Sequence, residues 1–206
     1  MRTVLLAFYT GLGTSEPWIN RATAWCTGKY MHVELVFATP GTVAADGGNM
    51  GGRVVEACGV WQGETVFLRP KRFGKTCWEW RALSLPPATV DAVYRFCQAQ
   101  ARAQRPFNKS GLYRSLTPCP RPTDGTQWFC SELVVSALQA GGMLLDAVAA
   151  ASTPTSVYRA IDGLDEAYHA GTPLLQTRLQ HHPLKHALWR RRLGGGGGGG
   201  GGGAVQ

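Results

Sequence analysis

Cys130 is the residue best placed to act as a nucleophile. It follows Gln127-Trp128-Phe129 and opens the run Cys130-Ser131-Glu132-Leu133-Val134. Val134, Ala137 and Leu138 recur at helical spacing, and Gly141-Gly142 supplies a stop. The spacing predicts a helix with Cys130 in its first turn, four residues before Val134 and on the inward stripe. A thiol there sees the positive end of the helix dipole, which favours the thiolate, the nucleophilic form. The competing reading is that of a small buried hydrophobe. Position alone does not separate the two, so the company that Cys130 keeps decides.

A thiolate nucleophile needs a base, and the base needs a partner that orients it. Of five histidines, His169, His181, His182 and His186 fall in the polar C-terminal third, and His32 lies in a patterned strand. In residues 31–37, Met31, Val33, Leu35 and Phe37 share one face, and His32, Glu34 and Val36 share the other. His32 therefore sits on the less apolar face, as a reactive imidazole would. Two carboxylates compete to orient it. Glu34 is two residues along the same strand, roughly 7 Å away, too far for an easy hydrogen bond. Glu56 lies in the following strand, where opposed β-carbons come within about 4.5–5.5 Å. The expected orienter is thus Glu56, with Glu34 lining a cleft or facing solvent. Glu132 suits the dipole of the first helical turn and reads as a stabiliser of that turn.

These side chains need a sheet and a helix to carry them. Residues 3–9 form a β-rich run, and Pro17 with Ser15 marks a helix ending near Trp25. Strands are expected at 31–37, 53–58, 64–68 and 77–83, with a glycine-rich loop at 40–52 and a basic link at 70–75. Together they read as an antiparallel meander. Pro86-Pro87 introduces a helix over 88–102 with Val90, Val93, Tyr94 and Cys97 on one stripe. A shorter turn or helix occupies 106–116, and residues 118–125, with three prolines and Gly125, are irregular. A last helix is expected around 156–161.

The chain has 206 residues, 44% of them hydrophobic, and a net charge of +8. That suits one domain over 1–170 and a tail over 171–206. The tail is basic at 181–192 and holds an unbroken glycine tract over 194–203, a composition that cannot pack. Its three histidines have no further ligands nearby, so it reads as solvated, with at most weak peripheral contact to a membrane surface. The positive charge permits anionic partners, but no nucleic-acid-binding motif occurs. Six widely spaced cysteines without a CxxC, and an N-terminal run lacking a cleavage pattern, point to free thiols in a reducing, cytoplasmic compartment. No apolar run approaches bilayer length.

Three segments carry a resemblance: Tyr30-Met31-His32-Val33-Glu34, then Val54-Val55-Glu56-Ala57, then Phe129-Cys130-Ser131-Glu132-Leu133-Val134. In this order they resemble the circularly permuted papain-like, NlpC-type thiol enzymes, in which the histidine precedes the cysteine. Pro154-Thr155-Ser156-Val157-Tyr158 is similar to the segment that follows the nucleophile helix there. The resemblance implies an α+β fold, an antiparallel sheet packed against helices, with the nucleophile helix against the histidine strand. It implies Cys130 as nucleophile, His32 as general base and Glu56 as the third residue, with no cofactor and no metal. The reaction expected is amide, peptide or isopeptide hydrolysis through an acyl-thioester. The Cys130 amide would stabilise the oxyanion, and Tyr30 and Trp128 are candidate second donors by proximity in sequence. Two alternatives share the sequence: a lipid acyl thioesterase or acyltransferase with the same triad, and an inactive binding module. The glycine-rich loop and the proline-rich approach to Cys130 bear on the substrate rather than on the chemistry.

Overall fold

The structure, a computed structural model, describes residues 1–10, 28–37, 54–74, 77–115, 117 and 124–169. The helix expected at 15–25, the loop at 40–52 and the tail at 171–206 lie outside the described residues.

The apolar run near the N-terminus forms β1 (Arg2–Tyr9), buried without a break from Val4 to Phe8. A run with no polar alternation belongs in a strand covered on both faces, and β1 is such a strand. It pairs on one side with β2 (His32–Phe37) and on the other with β5 (Trp78–Leu85). With β3 (Val54–Gly59) and β4 (Phe67–Arg72) the sheet has five antiparallel strands in the order β4-β3-β2-β1-β5. The meander holds for the first four strands only: β5 crosses back to the free edge of β1.

The first half of the basic link expected at 70–75 is strand, because β4 runs through Pro70 to Arg72. Proline is tolerated there since β4 is an edge, and the missing N–H points away from the ladder. Exposed Arg69 and Arg72 give that edge the charge that discourages further pairing.

Among the described residues four α-helices accompany the sheet, giving an α+β architecture. Helix α1 (Pro87–Arg102) starts at the expected proline and buries Val90, Val93 and Cys97. Helix α2 (Lys109–Ser115) is short, and the Asn108 side chain accepts the Gly111 amide at 2.7 Å. Helix α3 (Cys130–Ala140) buries Cys130 through Val135, then Ala137 and Leu138, so it is enclosed nearly all round rather than along one stripe. Helix α4 (Pro154–His169) starts earlier than the sequence suggested. Thr153 and Ser156 each accept the other's amide, at 3.1 and 2.9 Å, a reciprocal cap.

Two apolar clusters flank the sheet. The larger joins Val4, Leu6, Phe8, Val33 and Leu35 to α1, α3 and α4. Tyr158 of α4 stacks on Tyr30 at 4.6 Å between ring centroids and meets Phe8 edge-on, and Arg81 Nε donates to Asp162 at 2.8 Å. The smaller cluster covers the opposite face with Leu5, Ala7, Val36, Ala57, Phe67 and Phe73, against which Trp61, Trp78 and Trp80 pack. His32 and Glu34 share this second face with Val36. Both residues are buried, so Glu34 does not face solvent. Among the described residues Cys58, Cys97 and Cys130 are free thiols, and no helix is long and apolar enough to cross a membrane.

Candidate active site

Cys130 is the first residue of α3, and His32 is the first residue of β2, at the end of the sheet. The two side chains meet: the Cys130 sulfur hydrogen-bonds the His32 ring, although 98 positions separate them in the chain. The fold brings them together because α3 packs on β2 with its N-terminus toward the start of that strand. Both groups are buried, at 4% and 5% exposure.

The carboxylate on the imidazole belongs to Glu34, not to Glu56. Glu34 Oε1 lies 3.0 Å from His32 Nε2. Two residues along a strand separate the backbones, but a ring and a carboxylate leaning toward each other bridge that span. Glu56 sits opposite Phe37, at the other end of β2 from His32, and accepts the Tyr94 hydroxyl at 3.4 Å. The pairing register, rather than strand adjacency, removes it from the imidazole.

Three donors converge on the one Glu34 oxygen. Besides His32, Trp61 Nε1 donates at 2.9 Å and Lys71 Nζ at 2.5 Å. Glu34 is fully buried, and its Oε2 has no hydrogen-bond partner among the described residues. Gly59 makes room for this side chain: a β-carbon there would stand 2.8 Å from Glu34 Cγ and 3.1 Å from Phe67 Cζ. The His32 ring stacks on Trp61, with centroids 3.8 Å apart and planes at 27°, and meets the edge of Trp78 at 6.2 Å. Imidazole position and tilt are thus fixed by an indole face, a carboxylate and a sulfur.

The electrostatics follow from these contacts. Burial by itself would lower the His32 pKa. The negative charge and hydrogen bond of Cys130, then the bond and charge of Glu34, outweigh it and raise the imidazole from 6.5 to about 9. Burial pushes the Glu34 carboxyl up. The hydrogen bond and charge of His32, followed by the charge of Lys71, more than compensate and hold it below the usual carboxylate range.

The first turn of α3 presents amides without intrahelical partners. The Phe129 amide donates to Glu132 Oε2 at 3.4 Å, a back-bond that ties down the turn as expected of Glu132. Ser131 is anchored through its hydroxyl to the Ser152 carbonyl at 2.8 Å. The amides of Cys130 and Ser131 lie beside the sulfur. Neither Tyr30 nor Trp128 serves as a second side-chain donor there. The Tyr30 hydroxyl donates to Glu79 Oε2 at 2.5 Å, and Trp128 Nε1 donates to Gln100 Oε1 at 3.1 Å.

Glu34, Trp61 and Lys71 are the members of this site that sequence reasoning missed or set aside. Their signal was present in part: a strand glycine, Gly59, next to the partner of the histidine strand marks a close approach. Among the described residues no group of three or more His, Cys, Asp or Glu side chains gathers to hold a metal ion. No family model, curated protein or solved structure matches the chain.

Proposed function

We propose that the chain is a cysteine hydrolase of the permuted papain-like kind, cleaving an amide or peptide bond with Cys130, His32 and Glu34. One observation carries this reading: a sulfur at a helix mouth bonded to an imidazole that also rests on a buried carboxylate. Nucleophile, base and orienter within mutual reach is the arrangement acyl transfer needs.

In the proposed cycle His32 takes the Cys130 proton, and the sulfur attacks the substrate carbonyl carbon. The tetrahedral oxyanion forms beside the Cys130 and Ser131 amides at the positive end of α3. The His32 imidazolium protonates the leaving nitrogen as the C–N bond breaks. Water, deprotonated by His32, then attacks the acyl-thioester and releases the acid and the thiol. Glu34 stays ionised throughout, orienting the ring and supporting its charged form.

The test is peptide-resolved alkylation with iodoacetamide at neutral pH, followed by a turnover screen of peptide amides against acyl lipids. Cys130 should label faster than Cys58, Cys77 and Cys97, and His32→Gln should slow Cys130 alone. Cys130→Ala should keep the fold and lose turnover. Equal, slow labelling of all six cysteines would refute the reading. Turnover of acyl lipids but not of amides would replace the substrate class while leaving the nucleophile in place.

A further inference from the structure

Lys71 touches neither the sulfur nor the imidazole, yet its environment is not that of a surface lysine. Its Nζ lies 4.8 Å from the ring centroid of Phe73, 5.0 Å from Trp78, 5.1 Å from Trp61 and 5.6 Å from Phe67. Cations are attracted to the faces of such rings, more so when desolvated. The Lys71 side chain retains 21% exposure, and its ammonium points inward to Glu34 Oε1, the oxygen that also holds His32. Lys71 lies opposite Val55 in the β3–β4 register, and its ammonium reaches the Glu34 oxygen from that edge strand.

Building on the hydrolase reading, we propose that Lys71 is a positioning residue that acts on His32 through Glu34, fixing the carboxylate and limiting how tightly it holds the imidazolium. When His32 gives its proton to a leaving group, the buried Glu34 carboxylate loses one positive neighbour. With Lys71 in place the carboxylate still has a counter-charge, so the proton can leave. Without it, deprotonation of His32 strands an unpaired buried anion, which is costly. Lys71 thereby lets one imidazole serve as an acid as well as a base. The charged and titratable groups facing this pair come from several elements: Cys130 of α3, Glu34 of β2, Lys71 of β4, and Tyr9 of β1 opposite His32 in register. On β5, the Trp78 ring faces it without titrating.

The experiment is an NMR titration of the His32 ring in the full chain with labelled histidine, assigned by loss of the signal in His32→Gln. Lys71→Met should move the His32 midpoint upward by about one pH unit, since a positive neighbour is lost. Glu34→Gln should move it downward by a similar amount, and Lys71→Arg should leave it near the wild-type value. In turnover, Lys71→Met should lower kcat about tenfold or more at nearly constant KM, and Lys71→Arg should recover most of it. An unmoved midpoint in Lys71→Met, or a shift in the same direction as Glu34→Gln, overturns the proposal. If Lys71→Met does not fold, Lys71→Gln takes its place; if neither folds, Lys71 is a structural residue and the proposal fails. The titration needs no substrate. Opposed shifts without hydrolysis would therefore sink the hydrolase reading and not the Lys71–Glu34–His32 linkage.

Discussion

Replacing Glu34 by Gln, beside the same change at Glu56, separates the two carboxylates by energy as well as by geometry. Glutamine keeps an acceptor oxygen but removes the charge that three donors share. Breaking a buried ion pair by deleting one partner costs about 3–5 kcal/mol. Lys71 is 21% exposed and regains some hydration, so the expected loss is about 2–4 kcal/mol. Glu56 has a long contact of 3.4 Å to the Tyr94 hydroxyl and is half-buried, so Glu56→Gln should cost about 0.5–1 kcal/mol. Urea unfolding reads both, and a cycle with Lys71→Met should return a coupling of about 1 kcal/mol or more for the Glu34–Lys71 pair. Turnover should separate them further. An amide at position 34 can present its N–H to Nε2 and fix the wrong tautomer, so kcat should fall on the order of 10³-fold, while Glu56→Gln should change it little. If Glu56→Gln proves the more damaging in either measurement, the assignment of the orienting carboxylate is wrong.

Three other outcomes can be checked. His32 titrates at about 9 in the folded chain against 6.5 when free. Because its folded value is raised, its contribution is complete below pH 6.5 and is lost as pH rises through 9. At 1.36 kcal/mol per pH unit that is at most about 3 kcal/mol. Urea unfolding at pH 6 and 9.5 should show this loss in the wild type and not in His32→Gln; parallel losses in both would remove the linkage. The same titration should set the alkaline limb of hydrolysis near pH 9, where the acid for the leaving group is gone, and a rate still climbing at pH 10 would contradict His32 as that acid. Gly59→Ala should cost about 1–3 kcal/mol through overpacking against Glu34 and Phe67, and should also lower turnover by displacing the carboxylate; unchanged stability and rate together would show that the space at Gly59 is not needed.

Much of the framework was legible because it rests on local periodicity. The alternation through His32–Phe37 and the helical spacing after Cys130 both produce the elements they predict. The third residue was not legible, for two separate reasons. The case against Glu34 measured the backbone and ignored the reach of two side chains on one face. The case for Glu56 assumed a register that depends on how the segment between β2 and β3 closes. A shift along the ladder places Glu56 beside Phe37 instead. The position of β5 was hidden for a related reason, since local pattern marks a strand but not its neighbour. Pro70 misled in the opposite direction, because it breaks a central strand but not an edge.

The two faces of the sheet make different contributions to the candidate site. The larger cluster encloses α3, so the sulfur comes from the most deeply held helix among the described residues. The smaller cluster holds what would act with the sulfur in the proposed reaction: the imidazole on Trp61, the carboxylate over Gly59, and the ammonium among four rings. A core of that composition is an unlikely place for a buried Glu–Lys pair unless the pair is used, because apolar residues of similar volume pack there without the desolvation penalty. Trp61 makes the argument sharper. Its indole face carries His32, its N–H donates to Glu34, and Lys71 lies over its ring, so one side chain touches all three. Such convergence fixes the imidazole in one orientation before any substrate arrives, which is the preorganisation that acyl transfer through a sulfur requires.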